Sequence, residues 1–221
     1  MNQPSTINYS AASTLETNKV LRNTYALLSM TLFTSALAAF FAVIAGIGSM
    51  ASMVMMLGAM GIVWFVLPRS INSSMGLVWT FVFTTLMGGS LGPLLTHYLQ
   101  FPQGTAIVMQ ALGMTGLVFF GLSGYVLTTK KDFSFMGGFL FAGLIVLVVA
   151  SLLNIFLHVP MLSLTISGAC VLLFSGYILY DTSDIISGRE TNYISATIRL
   201  YLDVFNIFIS LLHILGFLND D

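Results

Sequence analysis

Seven long apolar runs, separated by short polar breaks, dominate the chain after its first twenty or so residues. They span approximately Thr24–Gly46, Met50–Leu67, Met75–Thr96, Thr105–Thr128, Phe135–Leu157, Met161–Ile186 and Tyr193–Leu218. A helix needs about twenty apolar residues to cross a hydrocarbon core of about 30 Å, and each run meets or nearly meets that length. Links such as His158-Val159-Pro160 leave room only for tight hairpins. The pattern predicts an all-α, polytopic membrane protein: a seven-transmembrane-helix bundle over residues 23–221, preceded by a flexible tail, residues 1–22.

Composition agrees with that reading. Of the 221 residues, 57% are hydrophobic and 7% charged, whereas a soluble domain carries roughly 25% charged residues on its surface. A net charge of −1 provides no basic face for nucleic acid, so the expected partner is the lipid bilayer. The single cysteine, Cys170, lies in an apolar run and cannot form a disulfide within one chain. The polar tail lacks the apolar core of a signal peptide and is expected in the cytoplasm. Alternate loops then share that side, and Lys19, Arg22, Arg69, Lys130, Lys131 and Arg189 all fall there, while the three opposite loops contain no Lys or Arg. The positive-inside rule therefore favours an odd helix count, with Asp220-Asp221 outside.

Within the third run, Gly88 and Gly92 stand four apart, a spacing that lets helix backbones approach closely where lipid supplies no hydrophobic drive. Pro93 beside Gly92 predicts a kink, because proline lacks the amide donor and clashes with the preceding turn. No internal repeat is evident.

The informative residues are the ionisable ones in the last two runs, since charges inside a bilayer cost several kcal/mol and usually face a bundle interior. Arg199, Asp203, Asn206, Ser210 and His213 share an arc of roughly 80° on the last helix. Two readings stay open. Arg199 and Asp203, four apart, can simply satisfy each other; or the polar face lines an interior route. Asp181 and Asp184 share a face near the end of the sixth helix. Asp203 is about 15 Å from the start of the returning helix, at 1.5 Å per residue, so Asp181 and Asp203 are expected to meet at similar depth. Asp184 is expected in solvated interface. Two carboxylates brought together in a low dielectric cannot both ionise cheaply, so the pair holds a shared proton and titrates in coupled steps. Their oxygens suit Ca²⁺, but two acids make only a transient cation contact. His97, His158 and His213 are expected near the outer surface without a metal motif, so neither an enzyme nor a cofactor is expected.

The chain resembles the Bax-inhibitor (TMBIM) family, and within it the bacterial YccA-type branch. The resemblance rests on Asn18-Lys19-Val20-Leu21-Arg22-Asn23-Thr24-Tyr25, Gly88-Gly89-Ser90-Leu91-Gly92-Pro93 and Lys130-Lys131-Asp132-Phe133-Ser134-Phe135. Tyr180-Asp181-Thr182, Glu190-Thr191-Asn192-Tyr193 and Leu200-Tyr201-Leu202-Asp203 complete it. It implies a last helix inside the bundle and a proton-sensitive calcium leak controlled by aspartates matching Asp181 and Asp203. An arginine from the second helix belongs near that pair, with Arg69 the nearest match, while Arg199 is a departure. Members of this branch are also associated with a membrane-bound ATP-dependent protease, for which the tail, residues 1–18, would be the handle.

Overall fold

A computed structural model describes the backbone of residues 7–219 and the side chains of residues 15–219. Helix α1 is Ile7–Ile44. It is followed by α2 (Ser49–Ser70), α3 (Ser74–Leu99), α4 (Gly104–Thr129), α5 (Ser134–Leu157), α6 (Pro160–Ile186) and α7 (Tyr193–Leu218), each long and apolar enough to cross a membrane, as is Leu15–Ile44 of α1. The chain is an integral membrane protein.

The start of α1 differs from expectation. Residues 7–22, expected as flexible tail, continue the helix. No Gly or Pro occurs between Pro4 and Gly46, and Ala11, Ala12, Leu15, Glu16 and Lys19 are good helix formers, so nothing in the sequence stops the helix where polarity begins. Residues 1–6 of the expected tail lie outside the described residues.

Proline shapes two of the spans. In α3 the helical pattern breaks at Leu91, immediately before Gly92-Pro93, as the missing amide of Pro93 predicts. In α2 a π turn at Ile62–Val66 precedes Pro68, where the ring crowds the carbonyl of Trp64 and the backbone widens to accommodate it.

Helix α7 is the centre of the bundle. It packs against α1, α3, α4 and α6, whereas α2 lies outside α3 and α5 lies outside α6. Burial follows this layout: 56% of the apolar window of α7 is buried within the protein, against 6% for α5. A helix of near-uniform apolarity such as α5 belongs against lipid. The polar face of α7 needs protein around it.

Two contacts fix α7 in place. Tyr201 is fully buried; its hydroxyl lies 2.7 Å from Ser35 Oγ on α1 and donates to the carbonyl oxygen of Thr84 on α3 at 3.3 Å. Phe83 and Phe205 flank its ring. Gly216, further along α7, lies where an added Cβ would sit 2.1 Å from the ring of Tyr98 on α3. Tyr201→Phe leaves the ring packing but strands Ser35 Oγ in the core. That loss is expected to lower stability by about 1–3 kcal/mol, measured as the unfolding midpoint in detergent, with Tyr193→Phe at the helix end as the neutral control.

Candidate functional site: the polar seam between α6 and α7

The chain reverses between α6 and α7 through a glycine turn. Gly188 takes φ +73°, the left-handed conformation that ends helices. The amides of Arg189 and Glu190 then both donate to the carbonyl oxygen of Asp184, at 3.0 and 3.1 Å, folding the loop back over the helix ends. Asn192 starts α7: its Oδ1 accepts from the amides of Ile194 (2.9 Å) and Ser195 (3.2 Å), a standard N-cap. Its Nδ2 donates to Asn72 Oδ1 at 2.8 Å, which anchors the start of α7 to the α2–α3 loop.

This turn brings the acids of α6 against those of α7. Asp181 and Asp203 are 5% and 4% exposed, and their carboxyl groups lie close together across the α6–α7 interface. A carboxylate only accepts hydrogen bonds, so this contact is a bond only when one of the two carries a proton. Asp203 Oδ2 is buried and has no hydrogen-bond partner among the described residues.

Arg199 does not close a pair with Asp203 one turn along its own helix. Its guanidinium reaches across instead, with Nη1 3.6 Å from Asp181 Oδ1 and 3.5 Å from Asp184 Oδ2, and Nη2 3.4 Å from Glu190 Oε2. Three acids of α6 and its loop outcompete one acid on α7. Arg69 does not join this group: it is exposed and donates to the carbonyl oxygen of Phe65 on its own helix. Its place beyond Pro68, at the helix end, holds it away from the α6–α7 seam.

Asp184, expected in solvated interface, is buried. Its Oδ1 accepts from Arg189 Nε at 2.7 Å. Arg189 also grips Asp132 of the α4–α5 loop through both terminal nitrogens, at 2.8 and 3.2 Å. Ser183 completes the clasp by accepting from the amide of Phe133 at 3.0 Å. One chain of charge thus runs from Asp132 through Arg189, Asp184 and Arg199 to Asp181 and Asp203.

The loop end of this chain is insensitive to mild acid. The Arg189 hydrogen bonds, helped by the amide of Ser134, lower the pKa of Asp132 from 3.8 to about 2. A depressed carboxylate adds stability that is fully present above 3.8 and is lost only as pH falls through about 2. Amide exchange at Phe133 and Ser134 is therefore expected to show the same protection at pH values from mildly acid to neutral. Asp132→Ala should speed exchange at Phe133 and Ser134 at every such pH. Protection that changes with pH in that interval would contradict the assignment.

Beyond the acids the seam stays polar. Asn206 turns its Nδ2 to the carbonyl oxygen of Leu202 at 2.7 Å. Ser210 is buried beside Cys170 of α6. His213 lies with Nδ1 2.8 Å from Ser167 Oγ and Nε2 3.5 Å from Ser163 Oγ, both on α6. His213 is thus held inside the seam, while His158 caps α5 and is exposed, and His97 packs on Tyr98 and Phe101. Among the described residues no three His, Cys, Asp or Glu side chains converge as metal ligands. The acids that do cluster converge on arginine.

Sequence reasoning placed Asp181, Asp203, Asn206, Ser210 and His213 on this seam but missed the clasp, Asp132 with Arg189, and the serines facing His213. A signal for the serines was present. Ser163, Ser167, Cys170, Tyr177, Asp181 and Asp184 recur at steps of three, four and seven, one face of α6 matching the stripe on α7. No comparable signal marks Asp132, whose partner lies 57 residues away.

Comparison with known proteins supplies the lineage of this arrangement. A family described as inhibitor of apoptosis-promoting Bax1 matches residues 17–220. An uncharacterised membrane protein of Vibrio cholerae is 60% identical over 94% of this chain and 93% of its own length. The Escherichia coli K12 protein named modulator of FtsH protease YccA is 48% identical over 95% of this chain and 94% of its own. An uncharacterised protein of Pseudomonas aeruginosa is 46% identical over 97% and 96%. Asp181, Asp203 and the clasp that holds them fall within the matched span, and the chain belongs to the Bax-inhibitor family.

Proposed function

We propose that the chain is a pH-sensitive ion leak pathway of the bacterial inner membrane, with calcium as its permeant ion, controlled by the Asp181–Asp203 pair. The observation that carries this reading is the burial of two carboxyls face to face on the central helix interface, on a polar seam that continues to His213. A shared proton clasps α6 to α7. Loss of that proton sets two anions against each other in a low dielectric, and protonation of both removes the tie from Asp181 to Arg199. Either change biases the helix pair between two packings, and the carboxylate oxygens offer a cation a transient contact in passage.

Purified protein in liposomes with a calcium dye inside tests this. A flux that depends on pH, and that responds to Asp181→Asn and Asp203→Asn, is expected. Flux no greater than in empty liposomes would remove the channel reading.

A second, compatible role is modulation of a membrane-bound ATP-dependent protease, favoured by the name of the 48%-identical Escherichia coli relative. In this role no chemistry is performed by the chain itself. In this reading the amino terminus faces the cytoplasm, because all six Lys and Arg residues other than the seam's own Arg199 gather at one end of the bundle, and there it is accessible to the protease. Deleting residues 2–18 is expected to abolish any effect on protease turnover, followed by pulse-chase of a protease substrate. Unchanged turnover would count against the tail as the contact.

A further inference from the structure

At the basic end of the bundle a cleft of about 860 Å³ opens between the start of α1, the end of α4 and the α6–α7 loop. It adjoins the loop end of the α6–α7 seam, which contributes Asp132, Ser183 and Glu190 to its walls, and Glu16, Thr17 and Asn18 at its rim belong to the stretch offered above as the protease contact. Its walls are of two kinds. Val20, Leu21, Leu127 and Ile186 are apolar, while Lys19, Lys130 and Lys131 bring positive charge.

The acids in the same walls are directed at arginines rather than at these lysines. Asp132 is held by Arg189, and Glu190 shares Arg199 with Asp181 and Asp184 and accepts from the hydroxyl of Ser195 at 2.7 Å. Lys19, Lys130 and Lys131 form no ion pair among the described residues. Lys130 ends α4 in the left-handed conformation, φ +53°. Lys131 is set by the hydroxyl of Tyr125, which accepts from Nζ at 3.0 Å and raises the lysine pKa, keeping it charged.

We infer that this cleft binds a phosphate anion, and that its source is the headgroup of an anionic phospholipid. Charge alone would suit free phosphate equally. The apolar wall decides for lipid, because Val20, Leu21, Leu127 and Ile186 belong to spans that enter the bilayer, and a headgroup arrives with glycerol and acyl chain to cover them.

Native mass spectrometry of the full chain in detergent tests this, with phosphatidylglycerol, phosphatidylcholine and inorganic phosphate as separate additions. Phosphatidylglycerol should be retained in preference to phosphatidylcholine. Each of Lys19→Gln, Lys130→Gln and Lys131→Gln should weaken that retention by about fivefold, and Arg69→Gln, a cation at the same end but outside the cleft, should leave it unchanged. These lysines are exposed, and an unchanged unfolding midpoint in each variant confirms that the fold survives. Complete displacement of the lipid by inorganic phosphate would move the assignment to the free anion and overturn the lipid source. Equal retention of the two lipids without any phosphate effect, or retention in the lysine variants equal to that of the unmodified chain, would overturn the site.

Discussion

Asp203→Asn is expected to flatten the pH profile of ion flux. The amide is nearly the same size as the carboxyl and donates to Asp181 without a titrating proton, so it holds the helix pair in the arrangement that the shared proton gives the natural chain. A gate governed by one proton changes by at most about tenfold per pH unit, and the variant should vary by less than about twofold over the same interval. Asp181→Asn should flatten the profile as well. Its effect will not be identical, since Asp181 also faces Arg199, which keeps Asp184 and Glu190 when Asp181 is neutral. Non-additivity is the mark of a pair: the double variant should resemble either single one. Additive effects would mean two independent titrating sites.

The second large effect lies in packing. An added Cβ on Gly88 would fall 2.1 Å from the carbonyl oxygen of Ser35 and 2.7 Å from its Oγ. Backbone cannot yield as a flexible side chain can, so α1 and α3 must separate. Overpacking of this kind costs about 1–3 kcal/mol, occasionally more. Here the displaced residue is also the hydrogen-bond partner of Tyr201, and the anchor of α7 to α1 fails with it. Gly88→Ala is therefore expected to lower the unfolding midpoint sharply, while Gly116→Ala, with nothing within 4 Å of the added carbon, should leave it unchanged. Equal midpoints for the two variants would contradict the packing described.

Gly88 and Asp203 also illustrate what the chain discloses before it is folded. Span positions were legible to within a few residues, because hydrocarbon thickness imposes one length on every helix and because loops of a few polar residues interrupt each run. A close helix approach at Gly88 was legible, though not that α1 makes it, and so was the interruption of α3 at Pro93. A meeting of Asp181 and Asp203 at similar depth was the expectation from the sequence, although Asp181 lies five residues from the end of α6 and Asp203 ten from the start of α7. Arg199 was not. Its distance along the helix from Asp203 suggests a local pair, but the choice among acids is made by a loop whose turn depends on Gly188 and on two amides donating to one carbonyl, Asp184. Arg69 carried a family expectation that the end of α2 does not meet, since its guanidinium is exposed and turned back to the carbonyl of Phe65 on its own helix. The clasp of Arg189 on Asp132 joins two loops far apart in sequence, and periodicity within one helix carries no information about such a contact. The helical start of α1 was hidden for a different reason: polarity ends a membrane span but does not end a helix.

The clasp also separates two kinds of acid in one network. Asp132 ionises as a surface carboxylate held by arginine, whereas under the proposed mechanism Asp181 and Asp203 depend on each other. Under that proposal mild changes of pH act on the membrane pair and leave the Asp132 clasp tied.

The shared proton proposed for Asp181 and Asp203 is tested most directly by isotope-edited infrared spectroscopy of the protein in lipid at near-neutral pH. A C=O stretch of a protonated carboxyl should be present in the natural chain, altered by either Asp181→Asn or Asp203→Asn alone and absent from the double variant, because the proton lies between the two acids. A spectrum in which both carboxyls are ionised, or a band that survives both substitutions, would contradict it.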